Sequence, residues 1–483
     1  MISGRFIKHS FIYTVAGSLP MASAILLMPF YGHFLSTEVF GLLSVYFAVS
    51  LLVQIFVTYS FDASIYVYYH EHKHDEQKLA TFISSVFVFI LGVSVIVSVL
   101  LSLTGYWLFE FIFDKEDVSF YPFGILSVAT GVLQAVFKVN NSLLQTSEKA
   151  TQFLKTNLFS FSLIASLTIA GMFLFPDSLW GPIGGKLIGA LISFSWVLYS
   201  IIKTYGIQFN WTLIKETFSF NHPSLIYQIQ QWFINYYDRI IILLLLSKST
   251  VGYYDLAAKC LLAIDFLLTG INSSFYPKVL SIINTQKVKT STIEVNRYYH
   301  GLTAVSILSV SFLIVFIPIA IKLFFPPTYY EAINIIPLLG IIYLLRPLRM
   351  YFAMPFAALK YSKPLPLYYL FLAFFKITFM YLFTAYYGLL AIIAATLITY
   401  LIEILLLYIG IRNIFKIKLN NFKMIFAPMT IALLILTGET IIRTLNLSYT
   451  WIHPIYIFVS VILLIWFYRN ELLIQWTKFK MKA

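Results

Sequence analysis

The chain has 483 residues, of which 60% are hydrophobic and only 11% charged, with a formal net charge of +13. A soluble domain is about one-quarter charged, so this composition excludes an ordinary water-soluble protein. Apolar runs of roughly 20 residues, the length that crosses a hydrocarbon core, recur throughout. They are continuously apolar and do not alternate in ~10-residue segments, which excludes a β-barrel and predicts an all-α polytopic membrane protein.

The first apolar segment, "SFIYTVAGSLPMASAILLMPFYGHF", follows Arg5 and Lys8. It is too long for the apolar core of a signal peptide and leads straight into further spans, so it is expected to be retained. Spans are predicted near 10–32, 40–66, 80–108, 119–144, 152–175 and 180–202. The polar stretch "KTYGIQFNWTLIKETFSFNH" interrupts. Further spans follow near 223–246, 251–277, 298–324, 331–358, 365–386, 388–411, 423–442 and 451–469, making 14 transmembrane helices.

Loop charges fix an orientation for this count. Only Lys115, Lys248, Lys322 and Arg443 fall on the outer side, whereas the loops and termini on the other side carry most of the 33 Lys and Arg. Basic residues concentrate on cytoplasmic loops, so both termini of this multi-pass protein are expected in the cytoplasm. The net charge thus marks a face apposed to anionic lipid and does not imply a nucleic-acid partner. The acidic "FEFIFDKEDVSF" loop, with Glu110, Asp114, Glu116 and Asp117, falls on the outer side.

Seven cations remain within spans: Lys138, Lys186, Arg239, Lys259, Arg346, Arg349 and Lys376. Lys138 and Lys186 lie within two turns of a span end, where snorkelling to the interface suffices. Arg346, Arg349 and Lys376 lie near mid-span, where a charge needs a wet cavity or a partner. The helix "IIPLLGIIYLLRPLRMYFAMPF" contains Pro337, Pro347 and Pro355, so its hydrogen-bond ladder is expected to be interrupted. Arg346 and Arg349, three apart, share a helix face, unless Pro347 swings them apart. Two guanidinium groups on one cavity would clamp phosphate oxygens; the alternative is pairing with intramembrane acids.

Those acids are Asp62, Asp238, Asp255, Asp265, Glu403 and Glu439. Asp255 and Lys259 are four apart in the favourable order for a local ion pair. Asp238 and Arg239 are adjacent and point about 100° apart, so they are not expected to form one simple pair, and at least one should seek another helix or water. Asp62, Asp238 and Glu403 are candidates for a proton or sodium site, with a structural hydrogen-bond anchor as the alternative. The single cysteine, Cys260, excludes an intramolecular disulfide. Alternate histidines His70, His72 and His74 in "HEHKHDE" read as a solvated loop, and no metal site or cofactor is expected. "GPIGGKL" around Lys186 lacks phosphate-loop spacing and reads as a glycine-rich helix start.

An internal repeat organises the whole. Residues 35–41 read "LSTEVFG" and residues 246–252 read "LSKSTVG", each at a turn between spans. Their offset of 211 residues covers six predicted helices. This implies an N-lobe of helices 1–6 (1–203), a cytoplasmic linker (204–222), a C-lobe of helices 7–12 (223–412), and helices 13–14 with a cytoplasmic tail (413–483). Transporters built from repeats often hold substrate at a repeat interface.

The chain resembles the polysaccharide or O-antigen flippase (Wzx-like) family, within the multidrug/oligosaccharidyl-lipid/polysaccharide exporter superfamily. "YYDRIIILLLLSKSTVGYYDLAAK" with downstream "SSFYPKV" is similar to that family's pattern at Asp238, Arg239, Gly252, Tyr253, Ala257 and Pro277. The hairpin "LLMPFYGHFLSTEVFGLLSVYF" is similar at Pro29, Leu35, Ser36 and Gly41. "FDASIYVYYHE" departs from it: Phe61-Asp62-Ala63 stands where relatives carry a glycine, and no arginine follows.

The resemblance implies a MATE-like fold of two lobes and a transporter, not an enzyme. It implies flipping of an undecaprenyl-diphosphate-linked oligosaccharide from inner to outer leaflet of the bacterial plasma membrane. The product would serve surface polysaccharide such as the O-antigen of lipopolysaccharide, alongside other assembly proteins. Arg346, Arg349 and Lys376, joined by Arg239 and Lys259, are then candidates for substrate binding. A lipid II flippase, a MATE-type drug/cation antiporter and, further off, a membrane-embedded polymerase or acyltransferase are the alternatives.

Overall fold

The structure, a computed structural model, describes residues 25–113, 118–285, 292–359, 361, 363–445 and 453–480. In chain order it contains α1 (Met28–Phe34), α2 (Thr37–Thr58), α3 (Phe61–His72), α4 (Glu76–Ile112), α5 (Ile125–Thr146), α6 (Ala150–Leu174) and α7 (Trp180–Tyr205). There follow α8 (Trp211–Leu245), α9 (Lys248–Thr285), α10 (Ile293–Phe324), α11 (Ile336–Ala358), α12 (Leu365–Tyr387), α13 (Leu389–Ile411), α14 (Ala427–Leu445) and α15 (His453–Lys480). Among the described residues there is no β-strand, in keeping with the all-α expectation. The start of the first span, Asp114 to Asp117, Lys287, Lys289, Lys360 and the loop before the last span lie outside the described residues.

Short polar residues set the helix starts. Ser36 accepts from the Val39 N–H at the head of α2, Asp75 from Lys78 at α4, Asn210 from Thr212 at α8 and Thr292 from Val295 at α10. Each satisfies a backbone donor that the helix leaves unpaired. Among the described residues, eleven segments are long and apolar enough to cross a membrane. That is fewer than the fourteen spans expected from sequence. Of the rest, α8 is polar around Gln228, Gln230, Gln231 and the Asp238–Arg239 pair, and Pro454–Arg469 is a shorter apolar stretch.

Packing divides the chain into two compact units. One holds the described residues up to Asp255 together with Met380–Leu389; the other holds Leu256–Phe379 and the described residues from Leu390 onward. The division falls inside α9, not at the 204–222 segment read as a linker. Only 206–210 of that segment is non-helical, and it is tied down. Ser84 on α4 donates to the Gly206 carbonyl and accepts from the Gln208 N–H, while Ser85 accepts from Asn210. Polar composition there reflects capping and helix-to-helix hydrogen bonds, and Leu213, Ile214, Thr217 and Asn221 are buried.

The predicted span 40–66 is two helices. Tyr59 (φ 48°) and Ser60 (φ 60°) are both left-handed and separate α2 from α3. Left-handed non-glycine residues are disfavoured by roughly 1–2 kcal/mol each, so neighbours must hold them. The Tyr59 hydroxyl lies 3.2 Å from His222 Nε2, its ring meets Phe89 and Phe218 edge-on, and Ser60 accepts from Gln228 at 3.0 Å. On α3, His72 is buried with its ring against Phe82, not solvated as its polar surroundings suggested.

In α11 the expected interruption is mild. Pro347 and Pro355 lie inside a continuous helix. Pro347 cannot donate to the Tyr343 carbonyl four residues back, and the Ser306 hydroxyl of α10 donates to it instead, at 2.8 Å. Arg346 and Arg349 therefore stay on one face.

The sequence repeat is a physical contact. A Cβ built on Gly41 would overlap the Lys248 carbonyl oxygen, and one on Gly252 would overlap the Thr37 carbonyl oxygen. Residues 41 and 252, like 37 and 248, are separated by the repeat offset, so α2 and the start of α9 cross with each glycine receiving the other helix's backbone. The caps match as well: Ser36 accepts from Val39, and Ser247 from Thr250. Thr37 donates to Ser249 at 3.3 Å across the crossing. Small residues at such crossings let backbones approach closely in membranes.

Candidate functional site

Among the described residues, three sets of paired, at least partly buried ionisable side chains lie within the long helices. The first sits beside the α2–α9 crossing. Arg239 on α8 pairs with Asp238 (Nη1–Oδ1 2.7 Å) and Asp255 (Nη2–Oδ1 2.9 Å). Its Nε also donates to Asp255, and its Nη1 to the Asn235 carbonyl. The second oxygens of both acids are occupied: Tyr254 donates to Asp238 at 2.6 Å and Ser44 to Asp255 at 2.5 Å. Ser44 and Asp255 are again one repeat offset apart. Asp238 and Arg239, expected not to form a simple pair, do so because the long arginine side chain curls back while still reaching Asp255 on the next helix. Asp238 and Asp255 are both buried, and ions so placed need partners for every polar atom.

The second set follows the Tyr59–Ser60 break. Asp62, in the first turn of α3, pairs with Lys138 of α5 at 2.8 Å and accepts from Gln228 of α8 at 3.3 Å. Lys138 is thus engaged in an ion pair and does not simply snorkel, although its side chain is 35% exposed. Lys186 lies 3.8 Å from the Phe47 ring centroid, a cation–π contact.

The third set belongs to the second unit. Arg346 on α11 pairs with Asp265 on α9, and Arg349 pairs with Glu403 on α13 (Nε–Oε1 2.7 Å). Tyr400, one turn from Glu403, touches both arginines. Its hydroxyl is 3.5 Å from Arg346 Nη1, and its ring centroid is 5.9 Å from the Arg349 guanidinium carbon. The two side chains predicted to share a face do so, each already holding one carboxylate. Lys376 on α12 is 1% exposed, and Lys259 is half-buried on α9.

The structure therefore brings Arg346, Arg349 and Glu403 together. Arg239, Asp238 and Asp62 belong to the first unit. Asp265 was noted among the acids without a role; its position 81 residues before Arg346 gives no local signal of the pairing. Among the described residues no group of three or more His, Cys, Asp or Glu could hold a metal ion. What the third set offers chemically is planar guanidinium donors suited to phosphate oxygens, next to carboxylates able to carry protons.

The fold has solved relatives. The chain is similar to a structure titled lipid II flippase MurJ, inward closed conformation, with a TM-score of 0.72 at 18% identity over 96% of this chain and 100% of that one. It is similar to an inward-facing multidrug resistance MATE family transporter of the MOP superfamily, TM-score 0.58 at 12% identity, over 86% of this chain and 96% of that one. A MOP superfamily transporter from Pyrococcus furiosus gives 0.52 at 12% identity, over 85% and 96%. At such identities the likeness establishes a shared MurJ/MATE-like fold. No curated protein sequence matches the chain significantly. The family model described as polysaccharide biosynthesis protein matches residues 6–283, more than half the chain, and the chain belongs to that family.

Proposed function

We propose that this protein is a flippase that carries an undecaprenyl-diphosphate-linked oligosaccharide from the cytoplasmic to the outer leaflet of a bacterial plasma membrane, for surface polysaccharide assembly. The observation that supports this most is the Arg346–Arg349 face inside an apolar helix. A diphosphate must be desolvated to cross, and charge-assisted bidentate hydrogen bonds from guanidinium groups offset that loss. Lys376 would add a third cation from α12; Arg239 and Lys259 are further candidates. Of these, Arg239 already holds Asp238 and Asp255. The polyprenyl tail needs no protein cavity, since it is as apolar as the bilayer.

The test is complementation of a flippase-deletion strain. Arg346→Gln with Arg349→Gln is expected to abolish surface polysaccharide at unchanged protein level; unchanged polysaccharide would remove both residues from the site. A second reading, lipid II flipping, draws support from the likeness to the lipid II flippase over nearly the whole chain. Rescue of a strain depleted of its lipid II flippase, without restoration of polysaccharide in the first strain, would favour that reading.

A further inference from the structure

Helix α8 carries a polar stripe at a depth where a membrane helix is usually apolar. Gln228, Gln231 and Asn235 follow one another at spacings of three and four residues. They therefore share one face, with about 5–6 Å between neighbours. Asn235 lies ten residues before Leu245, the last residue of α8, or about 15 Å along the axis. That is half of a hydrocarbon core of about 30 Å.

The three amides are employed differently. Gln228 ties α8 to α5 and to the start of α3. It donates to Ser60 at 3.0 Å and to Asp62 at 3.3 Å, and accepts from Lys138 at 3.4 Å. Gln231 and Asn235 make no such link. Among the described residues, Asn235 Nδ2 bonds only along its own helix, to the Gln231 carbonyl at 2.7 Å and to Gln231 Oε1 at 3.5 Å. Gln231 Nε2 is buried and has no hydrogen-bond partner among the described residues, whereas Asn235 is exposed. An amide turned to hydrocarbon loses its hydration without return, so at membrane depth such groups face water or a ligand.

We propose that Gln231 and Asn235 bind the sugar hydroxyls of the cargo, making this face of α8 a saccharide-binding site. This rests on the reading that the chain carries a lipid-linked oligosaccharide. The chemistry here favours a sugar over the diphosphate. No Lys, Arg, Asp or Glu lies between Glu216 and Asp238. Lys138, the cation that meets the stripe, already holds Asp62 at 2.8 Å. An amide offers two donors and an acceptor in one plane, which suits adjacent hydroxyls that are each donor and acceptor. The two amides are close enough together for one sugar ring to meet both. A buried donor left unserved costs the full desolvation of that group, and a hydroxyl that reaches Gln231 recovers it. Each amide is expected to contribute about three- to tenfold in affinity, the net worth of one hydrogen bond.

The experiment uses the full chain purified in detergent and two kinds of probe with the same lipid. One is farnesyl diphosphate; the other is farnesyl diphosphate bearing glucose, galactose or N-acetylglucosamine. Wild type and variant are compared probe by probe, which cancels the difference in phosphate charge between the two kinds. Gln231→Leu with Asn235→Leu should raise the Kd of at least one sugar-bearing probe about ten- to a hundredfold. The same variant should leave the Kd of farnesyl diphosphate unchanged. If it does not fold, Asn235→Ala, at an exposed position, should weaken the sugar-bearing probe alone by about three- to tenfold. Equal weakening of both kinds of probe would make the amides structural and overturn the assignment. Unchanged Kd values for all three sugars would also overturn it, leaving the stripe a wall for water. Either result leaves the diphosphate reading standing. Failure of the wild type to bind any probe would remove the lipid-linked cargo and the sugar site together.

Discussion

Arg239 and Arg349 both lie within long helices, and each holds a carboxylate at 2.7 Å. Their surroundings differ. Arg239 serves two acids whose remaining oxygens are taken by Tyr254 and Ser44, and it braces a backbone-to-backbone helix crossing. Arg349 serves one acid, its side chain is 22% exposed against 11% for Arg239, and beside it Arg346 repeats the arrangement with a single acid. A saturated network resists exchange of partners because every displaced group is left unsatisfied. One-to-one pairs can trade a partner for a ligand. The contrast teaches that a buried charge becomes a candidate for binding through its unused hydrogen-bonding capacity, not through its depth.

Substitutions can break or sharpen this contrast. The largest effect is expected at the crossing: Gly252→Val would drive a branched side chain into the Thr37 backbone. It should lower stability by more than about 3 kcal/mol, seen as loss of monodisperse protein after mild heating in detergent. Arg239→Gln removes the guanidinium from two buried carboxylates and should cost about 3–5 kcal/mol, read by the same assay. If it instead leaves stability intact and abolishes transport, the assignment of the first set to structure fails. Asp265→Asn should cost only about 1–2 kcal/mol, because Arg346 stays partly solvated, while altering transport strongly. Ser306→Ala removes the donor that serves the Tyr343 carbonyl and should cost about 1 kcal/mol or less. Asp62→Asn, at a partly exposed pair, should fall within about 1 kcal/mol of wild type.

Much of the fold was legible in the sequence, for reasons that also explain the misreadings. Continuous apolarity gave the helical class, and the seven-residue echoes 211 apart, read as the mark of a repeat, turn out to be segments that cross. Periodicity could not reveal that Tyr59 and Ser60 are left-handed, because neither is a glycine and the apolar pattern runs on through them. The 204–222 stretch looked like a linker because its polar residues are the ones that cap α8 and tie it to α4. The pairing of Asp265 with Arg346 and of Glu403 with Arg349 depends on which helices become neighbours. A single chain does not encode that in local spacing, so the shared face of the two arginines was legible while the particular acid each one holds was not.

The crossing of α2 with α9 bears on how the two repeat copies diverge. Duplicated segments usually drift apart independently, since each copy packs against its own surroundings. Here position 41 meets 248, position 252 meets 37, and position 44 meets 255, so each copy is the other's environment. Replacements at these sites should therefore appear as correlated pairs separated by the repeat offset, a covariation signal that a library randomising both segments together would expose and one randomising either alone would miss.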